Sequence, residues 1–130
     1  MYRALAHHLL GDSSNAARHW LSAFEYVTGL ANIRGVAGSI EGAAYLAGAA
    51  GNLATSARLL AAAETIRDRA GAPIFRFWLA PQAVARRRLD AALGMADWTA
   101  LRDAGRQARY EDIVAEAVDC LRSMANEGSS

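Results

Sequence analysis

Residues 33–71 read IRGVAGSIEGAAYLAGAAGNLATSARLLAAAETIRDRAG, and this stretch decides the fold. In its first half Ile33, Val36, Ala37, Ile40, Ala43, Ala44 and Ala47 recur at steps of three and four. That is the spacing of one apolar face on a 3.6-residue period, so a helix is predicted from about Ile33 to Ala50. Gly51-Asn52 breaks the pattern. Glycine suits the left-handed residue that ends a helix, and the Asn52 side chain can accept a hydrogen bond from a free amide of the next one. The second half repeats the stripe with Leu53, Ala57, Leu60, Ala63 and Ile66, until Gly71 and Pro73 stop it. Alanine on both stripes lets two backbones approach closely. Residues 33–71 are therefore predicted to form an antiparallel helical hairpin.

The same device occurs upstream. Gly11-Asp12 precedes Ala16-Ala17 as Gly51-Asn52 precedes Ser56-Ala57, and Trp20 and Ala23 stand forty residues before Leu60 and Ala63. A period in this range is that of stacked helical hairpins, each leaning its apolar face on the next. The fold class expected is thus all-α, with antiparallel hairpins stacked as a short solenoid.

The run Gly51-Asn52-Leu53-Ala54-Thr55-Ser56-Ala57-Arg58-Leu59-Leu60-Ala61-Ala62-Ala63-Glu64 resembles the tetratricopeptide-like repeats that close large actinobacterial regulators of the LuxR and AfsR types. Arg34-Gly35-Val36-Ala37 looks like that family's entry into the hairpin, and Ala70-Gly71-Ala72-Pro73 like its exit. Leu93-Gly94, Gly105-Arg106 and Tyr110-Glu111-Asp112 match its last two helices, so the likeness runs from about Tyr2 to Met124. Ser56 departs from it, standing where the repeats usually carry alanine. These regulators join a nucleotide-binding switch domain, helical repeats and a DNA-binding domain. For this chain the resemblance implies a scaffold or sensor segment of a transcriptional regulator, not a reaction. Its contacts would be a protein partner or the neighbouring domains of a larger regulator.

Composition narrows the function classes. The chain of 130 residues is long enough for one domain with a real core. All 14 basic residues are arginine, against 13 acidic ones, for a formal net charge of +1. Nothing global draws such a chain to nucleic acid or to an anionic membrane. Cys120 is the single cysteine, which leaves no disulfide framework and no thiol pair for a metal. His7 and His8 interrupt the only early apolar run, so no signal peptide is read there. The longest uncharged segment, Gly42 to Ala57, is short for a membrane span. A soluble, cytoplasmic protein is expected.

Taken in order, the chain is expected to form a single domain over 1–125. Hairpins are placed at about 1–29 and 33–71, a long helix at 75–93, a closing hairpin at 96–125 and a frayed tail at 126–130. Only about ten residues precede Gly11-Asp12, so the first repeat looks truncated. Leu5, Leu9 and Leu10 would then lack an upstream neighbour, and pairing of such uncapped edges predicts a homodimer. Ser13 or Ser14 caps the next helix, with Ala16, Trp20, Phe24 and Val27 inward and Arg18, Ser22 and Glu25 outward. Phe75, Phe77 and Trp78 form the densest aromatic patch. They are read as a lid over the open end of the stack and as a possible interaction surface. Pro81 either kinks the helix that follows or starts a second one from its first turn. The alternative reading is a small helical ligand-binding domain or enzyme with an apolar pocket around Phe75–Trp78.

Arg86-Arg87-Arg88 point in three directions on a helix and make no stripe. The two last helices, about Ala96 to Gln107 and Tyr110 to Ala125, invite a helix-turn-helix reading. Glu111, Asp112, Glu116 and Asp119 against Arg122 argue against putting the second into a groove among phosphates. Tyr110, Ile113, Val114, Ala117 and Leu121 make an ordinary core stripe instead. No phosphate-cradling glycine loop, no metal-ligand spacing around His7, His8 and His19, and no nucleophile–base set is legible. Neither catalytic residues nor a cofactor is predicted.

Overall fold

Asn32 and Asn52 open the two central helices in the same way. Each side-chain oxygen accepts from the amide three residues on, Gly35 N at 3.1 Å and Thr55 N at 3.5 Å. The far ends match too. At Gly51 (φ 88°) Asn52 N donates to Ala47 O at 2.8 Å and Gly51 N to Gly48 O at 3.1 Å. At Gly71 (φ 64°) Ala72 N donates to Arg67 O at 2.9 Å and Gly71 N to Asp68 O at 3.4 Å. This paired closure around a left-handed residue is the Schellman motif, and glycine adopts that backbone at least cost.

The computed structural model describes residues 13–29 and 32–127. Over them the protein is all-α: α1 (Ser13–Gly29), α2 (Ile33–Ala49), α3 (Leu53–Ala70), a 3-10 turn (Arg76–Trp78), α4 (Leu79–Ala92), α5 (Met95–Gln107) and α6 (Tyr110–Glu127), with no strand among the described residues. None of the described helices is long and apolar enough to cross a membrane.

Helix α2 is the axis of the molecule. Every residue from Gly35 to Gly48 is buried, because α1, α3, α4 and α6 all pack on it. Its glycines and alanines leave room for large neighbours. A Cβ at Gly42 would lie 2.8 Å from the Trp20 ring of α1, and one at Gly35 would lie 2.6 Å from Val27 Cγ1. On the other side Ser56 Oγ of α3 donates to Ala44 O at 2.8 Å, a buried bond, and a Cβ at Gly48 would lie 2.9 Å from that hydroxyl. Ser56 thus stands in the tightest part of the α2–α3 contact, with its hydroxyl bonded to the facing backbone.

Helix α3 is buried over more than one stripe. Leu59, Ala61 and Ala62 join Ala57, Leu60 and Ala63 inside, because α5 covers the side turned away from α2. The α5 backbone sits directly on α3: a Cβ at Gly105 would overlap the Arg58 carbonyl oxygen.

The last two helices run close to the expected bounds, but they part instead of pairing. Ala108 is extended (φ −64°, ψ 146°), with no left-handed glycine to fold the chain back. From there α6 crosses to α1 and α2, while α5 stays on α3. Ile113, Ala117, Leu121, Met124 and Ala125 of α6 close the core, and Arg58 of α3 reaches Glu116 at 2.7 Å. Tyr110, expected in that stripe, is exposed instead, and α6 continues through Asn126 and Glu127.

The long helix expected from Phe75 begins four residues later. The 3-10 turn comes first, and Pro81 occupies the third position of α4, within the first turn, where a missing N–H costs no intrahelical bond.

Candidate functional site

A single charge interrupts the apolar run of α2, and its partner lies across the hairpin. Glu41 and Arg67 side chains are 4% and 5% exposed. Arg67 Nε donates to Glu41 Oε2 at 3.0 Å and Nη2 to Oε1 at 2.6 Å, a bidentate pair. The third nitrogen, Nη1, donates to Pro73 O at 2.7 Å, and the guanidinium stands 4.6 Å from the centre of the Phe75 ring. Burial pushes the Glu41 carboxyl up from its ordinary range, with the Arg67 hydrogen bonds opposing. Burial and the Glu41 charge likewise push the Tyr45 phenol upward. Each Glu41 oxygen accepts from Arg67. The pair braces the connection after α3 against the hairpin.

Beside the brace, Trp78 enters the core. It is fully buried, 5.1 Å between ring centres from Trp20 and 4.7 Å from Tyr45, edge-on to the latter. The aromatic patch therefore divides. Trp78 is not an exposed interaction surface, since the rings of Trp20 in α1 and Tyr45 in α2 stand against it. Phe75 is half-buried, its ring against the Arg67 guanidinium. Phe77 lies in the 3-10 turn, and its side chain is outside the described residues, as are Leu5, Leu9 and Leu10.

Two openings lie elsewhere. Between α3, α5 and the start of α6 is an apolar cleft of about 250 Å³, walled by Ile33, Ile66, Tyr110 and Ile113, with Arg69 and Arg106 beside it. It exists because Gly105 holds α5 down on α3 while Ala108 sends α6 away. Burial, with Glu111 nearby, pushes the Tyr110 phenol upward; like any phenol it is protonated at neutral pH and can donate a hydrogen bond. The second opening is broad and polar, lined by Arg58, Asp112, Glu116, Asp119 and Cys120, with Arg58 paired to Glu116.

No protein-family model, curated protein or solved structure matches the chain. The site is therefore read from its geometry alone.

Among the described residues His19, half-buried on α1, is the only histidine, and no group of three or more His, Cys, Asp or Glu is placed to hold a metal ion. The arginine triplet does diverge as its spacing requires. Arg86 pairs with Glu64 of α3 at 3.0 Å, Arg88 lies over Gly48 of α2 and Arg87 is exposed. Sequence reasoning missed the Glu41–Arg67 brace, although Glu41 is the one charge between Gly35 and Gly48 and a charge so placed demands a partner.

Proposed function

We propose that the chain is a non-catalytic protein-interaction or scaffold module, tetratricopeptide-like in its hairpins, of a cytoplasmic bacterial transcriptional regulator of LuxR type. The observation that supports a docking role is the outer side of α4. This helix commits only Ala85 and Leu89 fully to the core. It leaves Leu79, Ala80, Ala83, Val84, Ala91 and Ala92 exposed, interleaved with exposed Arg87 and Asp90, and Met95 at the start of α5 follows at 86% exposure. Exposed large apolar side chains set among charged ones, here Leu79, Val84 and Met95, are the kind of surface that another protein can cover. The acidic outer positions of α6, Glu111, Asp112 and Asp119, favour protein over nucleic acid as the partner.

The simplest occupant is a second copy, giving a two-fold dimer through α4. Absolute mass by light scattering behind size exclusion, over a wide concentration range, tests this. A dimer at low micromolar concentration that Val84→Glu together with Leu79→Glu turns into a monomer is the expected result. A monomer at every concentration would remove the homodimer, and a dimer indifferent to both substitutions would remove the α4 surface.

A further inference from the structure

We propose that the cleft between α3, α5 and α6 binds a small amphipathic carboxylate, an acid with a short apolar body. Shape comes first. At about 250 Å³ the cleft lies near the lower end of the sizes typical of small-ligand pockets, too small for a folded partner's element. Its walls are apolar, and the one hydroxyl on α3 that faces this region, Thr65 Oγ1, is already bonded to Ala61 O at 3.0 Å. Ile33 and Tyr110, large side chains at the opening, are left exposed, so an apolar guest would bury them.

Charge then selects the head group. Among the described residues the charged side chains lining the cleft are Arg69 and Arg106, one from α3 and one from α5, and none of them is an acid. The ion pairs among the described residues engage Arg58, Arg67, Arg86 and Arg109, and neither of these two. Two guanidinium groups with no carboxylate partner, set beside an apolar hollow, complement an anion carried on a hydrocarbon. Arginine's planar fork suits a carboxylate in particular. The Tyr110 hydroxyl, kept protonated, adds a donor at the same mouth.

The test uses the full chain with isoleucine methyls labelled for NMR, titrated with octanoate and separately with the neutral 1-octanol. Saturable shifts at Ile33, Ile66 and Ile113 with octanoate are expected, with octanol about tenfold weaker, the factor that one modest charge-assisted contact supplies. Arg69→Gln with Arg106→Gln should lower octanoate affinity by a similar factor and leave the melting temperature unchanged, because both side chains are exposed. Ala70→Trp, at the exposed end of α3, should block the cleft and abolish the shifts whatever the head group. Absence of saturable shifts at millimolar octanoate would overturn the proposal. So would shifts confined to other faces, equal affinity for octanol, or a double variant that binds as the native chain does.

Discussion

Glycine at 42 and at 105 serves one purpose, the absence of a side chain, but against different neighbours. At Gly42 the neighbour is the Trp20 ring, a side chain rather than backbone. Gly42→Ala should cost about 1–3 kcal/mol from overpacking, partly offset by the ~1 kcal/mol that alanine gains as a helix former. At Gly105 the neighbour is the Arg58 carbonyl, fixed in the α3 backbone, so Gly105→Ala should cost more; denaturant melts of the two variants compare them. The Glu41–Arg67 brace follows a different logic. Removing one member leaves a buried charge alone, so Glu41→Leu should cost about 3–5 kcal/mol, and adding Arg67→Met should recover much of it. Its pH dependence also has a definite sign. Because burial raises the Glu41 carboxyl in the folded state, between the ordinary carboxylate range and that raised value the native chain holds a proton that the unfolded chain has released. This group's contribution is therefore present below the ordinary carboxylate range and is lost as pH rises through its raised value. Melts across mildly acidic pH should show that downward component in the native chain and not in Glu41→Gln.

At the scale of elements, what could be read from the sequence depended on how local the signal was. The end of α2 and both ends of α3 were legible because Asn52, Gly51 and Gly71 act through bonds to residues within five positions, while the Asn32 cap of α2 went unread. Pro81 left two readings open, and the 3-10 turn settled them by setting it in the first turn of α4. The cleft had no such signal. It depends on the extended backbone of Ala108 and on Gly105 meeting Arg58, a contact between residues far apart in the chain. Trp78 was open to both a lid and an interaction-surface reading because the rings that stand against it, Trp20 and Tyr45, come from two other helices. Helix α4 itself is held by few residues, so it should be the first helix to open. Hydrogen exchange should find its amides less protected than those of α2, and covering its outer side by a partner should raise that protection.

For the molecule as a whole, the decisive contact is α6 on α1, which joins the two ends of the described chain. In an array whose units touch only their sequence neighbours, distant substitutions can loosen distant parts separately. Here the ends share one core, and a single cooperative transition is expected. Leu121→Ala in α6 and Leu59→Ala in α3, both fully buried, should each cost about 2–5 kcal/mol and move that same transition. Coincidence of circular dichroism and tryptophan fluorescence melts checks it. The paired rings of Trp20 and Trp78 also give the protein an optical gauge of its own. They join the base of α4 to α1 across 5.1 Å, and a contact of that kind leaves a signature in the near-ultraviolet. Anything that lifts the base of α4 off the core, heat first of all, should part those rings. The chain can then be asked, without a label, whether α4 is seated.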